Sequence, residues 1–416
     1  MSKTIAVHPS KLSGEIIVPP SKSAAHRALI CAHLAEGESK ISNIALSEDI
    51  KATLTALNTL GAAVKTEKDT VYVSGGYGEK KFLNKDIFCN ESGSTLRFII
   101  PILLTYGGEF CLTGAGRLME RPLDDYYRIF DEKNISYKKQ DNKLFISGKL
   151  TPGKYYLSGD VSSQYISGLL FALPLLEGDS EIVITTPIES IGYIDMTIEM
   201  LSKFGVEIEK TEDYRNYKIL GNQSYKPQNI TVEGDYSQAA FYLVANELGN
   251  NVDVKGLKEN STQGDKKILE IIDEMRINKP VHTIDVSQIP DLVPILSVLA
   301  AKTNGTTHIV GAKRLRLKES DRLHTVYLEL KKLGVDIKEN NESLEITGPN
   351  EFTGAITDSH NDHRIAMSLA IASTCAEDTV TICGADSVKK SYGDFWDKFK
   401  GLGGVVEYVS DIRQNI

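Results

Sequence analysis

The chain has 416 residues and a formal net charge of −9, a length that exceeds one ordinary core and so predicts two domains. Hydrophobic and charged fractions of 41% and 25% belong to a globular protein rather than a disordered one. The acidic balance, without any long Lys/Arg run, argues against nucleic acid as the main partner. The longest apolar run, around Ile166 to Leu176, is broken by Gly168 and Pro174 and is too short to span a bilayer.

The N-terminus, Met1-Ser2-Lys3-Thr4-Ile5, lacks the apolar run of a signal peptide. A first strand, Ile16-Ile17-Val18, is stopped by Pro19-Pro20. Ser21 or Ser23 can then cap a helix running to Leu34. Lys22, His26 and Arg27 fall in its first turns, the wrong end for cations because the helix dipole is positive there. The same oddity recurs at Ser92-Gly93-Ser94-Thr95-Leu96-Arg97, at Ser320-Asp321-Arg322 and at Asn361-Asp362-His363-Arg364. An anionic ligand gives the four a shared reason, since backbone N–H groups, dipole and side chains then act together.

Internal repetition organises the rest. One half-repeat is a polar helix start, an apolar helix, a Gly turn and a strand, with copies starting near Ser21, Ser92, Ser162, Tyr236, Asp291 and Asn361. The other is an amphipathic helix, a Gly or Asn turn (Gly61, Asn134, Gly205, Gly334), and two short alternating strands, with weaker members near Ile268 and Asp394. About six repeats of roughly 70 residues fill the chain. The predicted fold is α/β, built of α+β repeats in two similar domains of three βαβαββ-type units each. The expected domains are 21–234, and 1–20 with 235–416, with a double-stranded hinge near 19–21 and 233–236. Helix starts gathered at one end of each domain would face across a cleft and focus a positive field on a polyanionic ligand.

Along this frame stand further polar groups. Pro122 can open a helix and so place Arg121 at its start. Asp291, after Ile289-Pro290, opens a helix from Leu292 to Lys302, where an N-cap role is the plainest reading. Ser320 is the expected cap of the next helix, with Lys318 and Glu319 just outside it. Lys389-Lys390 could be only a charged loop. The eight histidines form no HxxxH or Cys/His cluster, so no metal is expected. The five cysteines, without a CxxC pair, read as buried free thiols in a reducing cytosol. No phosphate-binding or dinucleotide glycine fingerprint and no Ser-His-Asp elbow is present. What remains suits anion positioning with general acid–base catalysis.

Pro20-Ser21-Lys22-Ser23…Arg27, Arg121-Pro122, Ser162-Ser163-Gln164, Ile289-Pro290-Asp291, Lys318-Glu319-Ser320-Asp321-Arg322, Asn361-Asp362-His363-Arg364 and Lys390 together resemble the EPSP synthase family of enolpyruvyl transferases. The resemblance implies transfer of an enolpyruvyl group from phosphoenolpyruvate to the 5-hydroxyl of shikimate 3-phosphate, without metal or organic cofactor, in aromatic amino-acid synthesis. It implies that Lys22, Ser23, Arg27, Ser162, Ser163, Gln164, Ser190, Asp291 and Lys318 hold shikimate 3-phosphate. Lys22, Gly93, Arg121, Gln164, Arg322, Arg364 and Lys390 would hold phosphoenolpyruvate, whose site glyphosate occupies in such enzymes. Asp291 would be the base toward the hydroxyl, and Glu319 and Lys22 the proton donors or relays. The expected protein is a cytoplasmic monomer acting on small molecules, with neither nucleic acid nor membrane as partner.

The sequence departs from the family pattern at Glu91, at Phe98, at Arg314 and at Ile191-Gly192. One rival is the sister transferase acting on UDP-N-acetylglucosamine, many members of which carry a catalytic Cys where this chain has Gly116. Another is a non-catalytic anion-binding protein on the same scaffold, against which Lys22, Asp291 and Glu319 speak.

Overall fold

The computed structural model describes residues 3–78 and 84–409. Met1, Ser2 and the last seven residues of the second expected domain lie outside them. The chain divides into an internal lobe, Pro20–Glu233, and a terminal lobe, Met1–Pro19 with Gly234–Ile416. Ser21 N–H donates to Glu233 O (2.7 Å) and Asp235 N–H to Pro19 O (2.9 Å), so the two crossing segments are paired on either side of the passage.

Twelve helices are described: α1 Lys22–Leu34, α2 Glu48–Thr59, α3 Gly93–Tyr106, α4 Asp124–Glu132, α5 Ser163–Ala172, α6 Ile191–Lys203, α7 Tyr236–Glu247, α8 Ile268–Met275, α9 Val293–Lys302, α10 Arg322–Lys332, α11 His363–Ser373 and α12 Phe395–Gly401. Alternate helices differ in kind. In α1 every residue from Ala24 to Leu34 is buried, and α3, α5, α9 and α11 are nearly as enclosed. A helix apolar on all sides has to be interior, and these form the middle of each lobe. The amphipathic α2, α4, α6, α8 and α10 bury one face only.

The internal lobe carries three four-stranded sheets. Their strand orders are Asn229–Thr231, Gly37–Ser42, Thr70–Gly75, Ala63–Glu67; Asp86–Phe88, Glu109–Thr113, Lys143–Ser147, Ser136–Gln140; and Gly153–Leu157, Ser180–Ile184, Asn216–Ile219, Glu209–Lys210. In each, the first pair is parallel and the other two antiparallel. In the second and third this is the pattern of a strand, a crossover through a buried helix, then a hairpin, whereas the first takes its parallel edge strand, Asn229–Thr231, from the far end of the lobe. The terminal lobe repeats it twice. The sheet Val281–Asp285, Gly305–Val310, Leu344–Gly348, Asp336–Glu339 is complete in sequence. The sheet Ala355–Asp358, Val380–Cys383, Thr4–His8, Val405–Val409 borrows an inner strand from the other end of the chain.

One repeat falls short of the sequence expectation. Among the described residues Asn251–Lys255 pairs only with Ser13–Ile17, in parallel. After α8 the chain passes directly to Val281, with 276–280 between, too few residues for a hairpin. The expected left-handed turns are all present: Gly61, Gly205 and Gly334 have φ of 90°, 80° and 85°, and Asn134 has 54°. Each ends an amphipathic helix, where only glycine or asparagine is comfortable.

Candidate active site

In the internal lobe the polar helix starts are built locally. Ser21 caps α1, Ser92 caps α3 and Ser162 caps α5, each hydroxyl accepting a first-turn amide. Lys22 and Ser23, Gly93 and Ser94, and Ser163 and Gln164 therefore open three buried helices. Gly168 lets α3 and α5 approach, because a Cβ there would run into Arg97 O and Tyr126 Oη. That closeness joins the two starts: Arg97 Nη1 donates to Gln164 Oε1 (2.8 Å), and Gln164 Nε2 to Ser94 Oγ (3.0 Å). A Cβ on Gly93 would lie 2.9 Å from Nη1 of both Arg97 and Arg121, so two guanidinium groups flank the start of α3. Lys22 Nζ pairs with Asp49 Oδ2 on α2 at 2.7 Å.

Arg27 sits deeper. Its Nε donates to Thr197 Oγ1 (2.8 Å), Nη1 to Ser23 O (2.9 Å) and Nη2 to Tyr193 O (2.8 Å). Its guanidinium also lies over Phe98 at 5.3 Å. Burial pulls its pKa down to about 10, with Tyr193 opposing. Ser190 precedes α6 with φ of 57° and makes no capping bond.

In the terminal lobe Asp291 is the hub. It lies in a 3-10 turn, Pro290–Leu292, ahead of α9 and makes no cap, contrary to the plain expectation. Its Oδ1 accepts from Lys318 Nζ (3.2 Å) and Arg322 Nη1 (2.9 Å), and Oδ2 from Arg364 Nη2 (3.0 Å). Arg322 is 1% exposed. It also donates to Glu319 Oε2 (2.7 Å) and Asp362 Oδ2 (2.9 Å). Burial opposes its charge, but Asp362, Glu319 and Asp291 outweigh burial and hold its pKa above the usual value. Burial lowers the pKa of Lys318, with Asp291 opposing. Lys390 Nζ donates to Asn361 O (2.7 Å) at the head of α11, from a 3-10 turn rather than an open loop.

Two sequence expectations are corrected. Asp321, not Ser320, caps α10, accepting from His324 N–H at 3.1 Å, because the Ser320 hydroxyl is turned to Asp362 (3.2 Å). Pro122 does not open a helix: α4 starts at Asp124, and Arg121 closes the 3-10 turn Leu118–Glu120. Sequence reasoning also missed the partners Asp49, Arg97 and Asp362. Arg97 and Asp362 stood inside motifs already singled out, so the polar helix-start signal could have found them. Asp49 looks like any first-turn acid of α2.

Three of the departures resolve physically. Glu91 turns toward Gly116, whose φ is 54°, and a Cβ there would meet Glu91 Oε2 at 2.6 Å. Phe98 is core, edge-on to Phe171 at 5.3 Å. Arg314 Nη2 donates to Ser287 O (2.7 Å). Among the described residues no three His, Cys, Asp or Glu side chains gather as a metal cluster, and no helix is long and apolar enough to cross a membrane. All five cysteines are free, Cys375 half-buried and the others buried.

The arrangement can hold phosphates and carboxylates and move protons. A family model described as EPSP synthase (3-phosphoshikimate 1-carboxyvinyltransferase) matches residues 7–399. The chain is 50% identical to a 3-phosphoshikimate 1-carboxyvinyltransferase of Clostridium perfringens, over 97% of this chain and 99% of that one. It is 46% identical to the protein of the same name from Clostridioides difficile, covering 97% and 98%. An EPSP synthase structure from Acinetobacter baumannii matches with a TM-score of 0.81 and 25% identity, covering 98% of this chain and 100% of that one.

Proposed function

The chain belongs to the EPSP synthase family, and from that premise we infer how its side chains divide the work. The reaction transfers the enolpyruvyl group of phosphoenolpyruvate to the 5-hydroxyl of shikimate 3-phosphate and releases phosphate. It proceeds by addition and elimination. The hydroxyl oxygen bonds to the enol carbon as the methylene gains a proton, giving a tetrahedral ketal. Loss of a methyl proton and of phosphate then restores the double bond.

Asp291 carries the reading. Its two oxygens face three cations, an arrangement that costs desolvation and is a poor way to gain stability alone. An arriving phosphate or carboxylate competes for Arg322, Arg364 and Lys318, and each cation it draws away leaves Asp291 a better base for the 5-hydroxyl. Glu319, bonded to the same Arg322, and Lys22, paired with Asp49, are the proton donors or relays. Lys22, Ser23, Arg27, Ser162, Ser163, Gln164, Ser190, Asp291 and Lys318 hold shikimate 3-phosphate in this reading. Lys22, Gly93, Arg121, Gln164, Arg322, Arg364 and Lys390 hold phosphoenolpyruvate. Arg27 is so fully bonded to Thr197, Ser23 and Tyr193 that it serves as much to hold α1 against α6 as to meet substrate. The protein acts as a cytoplasmic monomer on small molecules alone. The Glu91 carboxylate beside Gly116 supports the shikimate substrate over UDP-N-acetylglucosamine, since it fills the space a cysteine at 116 would need.

The test is phosphate release from phosphoenolpyruvate. We expect release that depends on shikimate 3-phosphate and survives chelators and thiol-blocking reagents. Turnover with UDP-N-acetylglucosamine and none with shikimate 3-phosphate would overturn the assignment.

A further inference from the structure

His26 is a buried residue to which the chemistry above gives no task. It lies one turn into α1 and is 1% exposed. Its Nδ1 is 2.8 Å from Thr53 Oγ1 on α2. Thr53 Oγ1 is 2.7 Å from Thr95 Oγ1 on α3, and Thr95 Oγ1 is 2.7 Å from Ser92 Oγ, the cap of that helix. All four residues are buried. The chain of bonds crosses three helices and ends on the cap beside Gly93.

Proton counting gives the chain a direction. Ser92 Oγ accepts the Thr95 amide (3.2 Å) and the Thr95 hydroxyl proton. A hydroxyl has one proton to give, so Thr95 Oγ1 accepts from Thr53, and Thr53 accepts from His26. His26 must then carry its proton on Nδ1. Its Nε2 is buried and has no hydrogen-bond partner among the described residues. Burial, then the charges of Lys22 and Arg27, lower its pKa well below the usual value, which keeps the ring neutral with one proton.

We propose that His26 is a positioning residue: as its Nδ1–H tautomer it anchors a one-way relay through Thr53 and Thr95 to Ser92 that fixes the first turn of α3, and with it Gly93, where phosphoenolpyruvate docks. This rests on the reading of that helix start as part of the phosphoenolpyruvate site. The first amides of a helix have no partner within it and can meet an anion. Their aim depends on the cap, and the cap here is tied to α1, the helix that also presents Lys22.

The experiment compares Michaelis constants for the two substrates. His26→Phe keeps the ring volume and removes the donor. It should raise KM for phosphoenolpyruvate about five- to tenfold, the usual worth of one lost hydrogen bond, and leave KM for shikimate 3-phosphate within about twofold. His26→Asn, which keeps an N–H near the Nδ1 position, should restore most of the loss. Thr53→Val cuts the relay without touching the ring, and added to His26→Phe it should cost little more. An unchanged KM for phosphoenolpyruvate, or an equal rise for both substrates, would overturn the proposal. Nitrogen-15 NMR of the histidines in the unmodified enzyme, with His26→Asn assigning the signal, should show His26 protonated on Nδ1. Protonation on Nε2 would overturn the relay even if the Phe variant fails to fold. The NMR result does not depend on substrate, so loss of the family reading and loss of the relay are separable.

Discussion

Arg322 and Asp291 show how a buried charge is kept at one side chain. Arg322 donates to three carboxylates, and Asp291 accepts from three cations, so neither depends on a single partner. Removing one partner of a buried pair leaves the other uncompensated, which is the costly outcome. Asp291→Asn, which keeps an acceptor oxygen, is therefore a cleaner probe of the base than Ala. We expect Asp291→Asn, Lys22→Met and Glu319→Gln each to lower turnover about 10²–10⁴-fold while far-ultraviolet circular dichroism stays unchanged. Near-normal turnover in one would remove that residue from the proton-transfer set. Asp265 adds a pH effect. Burial, then the charge of Asp291, push its carboxyl up to about 7, with Arg364 and its bond from Ser237 opposing. The folded state then holds more protons than the unfolded state between about pH 4 and 7. Stability from this group is thus full below that window and lost as pH rises through it. Asp265→Asn carries no such dependence. Denaturation midpoints at pH 5 and pH 8 should shift in favour of the Asn variant at the higher pH; an equal difference at both would refute the shift.

In the proposed site, helix starts are the unit in which anions are handled. Of the buried helices, α1, α3, α5 and α11 are capped by a Ser or Asp from their own sequence, and α9, behind Asp291, is not. Gly93 is the sharpest case, since a methyl there would press on the guanidinium groups of Arg97 and Arg121. Both side chains are long and can yield by a few tenths of an ångström, so the fold should survive. Gly93→Ala is expected to raise KM for phosphoenolpyruvate several-fold and to weaken glyphosate inhibition by a larger factor, because the displaced arginines leave less room for the longer inhibitor. Inhibition constants measured against phosphoenolpyruvate for parent and variant decide it. Equal constants would show that Gly93 does not face the ligand.

At the scale of the molecule, two hydrophobic cores share no residue. One runs from Ala24 to Val232, and the other joins Ile5–Ile16 to residues from Tyr236 to Leu402. The N-terminal strand Thr4–His8 is an inner strand of the last sheet, with Ile5 and Val7 fully buried. Deleting residues 1–9 removes two such side chains, worth about 1.5–3 kcal/mol each, together with two ladders of hydrogen bonds. Domains have only about 5–15 kcal/mol in hand, so the terminal lobe should lose its protection. Hydrogen exchange should rise across 234–409 and much less across 20–233. A uniform rise, or none, would contradict the separation of the cores.

The sequence by itself determined the repeat, the helix starts and their turns. Caps and left-handed turns act within three or four residues, so the helix starts near Ser21, Ser92 and Ser162 and the turns at Gly61, Asn134, Gly205 and Gly334 were legible without any tertiary knowledge. The motifs that carry the family resemblance were legible for the same reason, being short and local. Where two neighbours could both cap, as Ser320 and Asp321 can, local rules could not choose; the distant Asp362, which takes up the Ser320 hydroxyl, did. The truncated repeat after α8 could have been seen by counting the residues left before Val281. Tertiary structure alone decided the pairing of polar side chains: Lys22 with Asp49, Arg27 with Thr197, Asp291 with Arg364. These partners lie 27, 170 and 73 positions apart, and nothing local encodes such a distance. Only the packing of buried helices, set by shape at positions such as Gly168, brings them within reach.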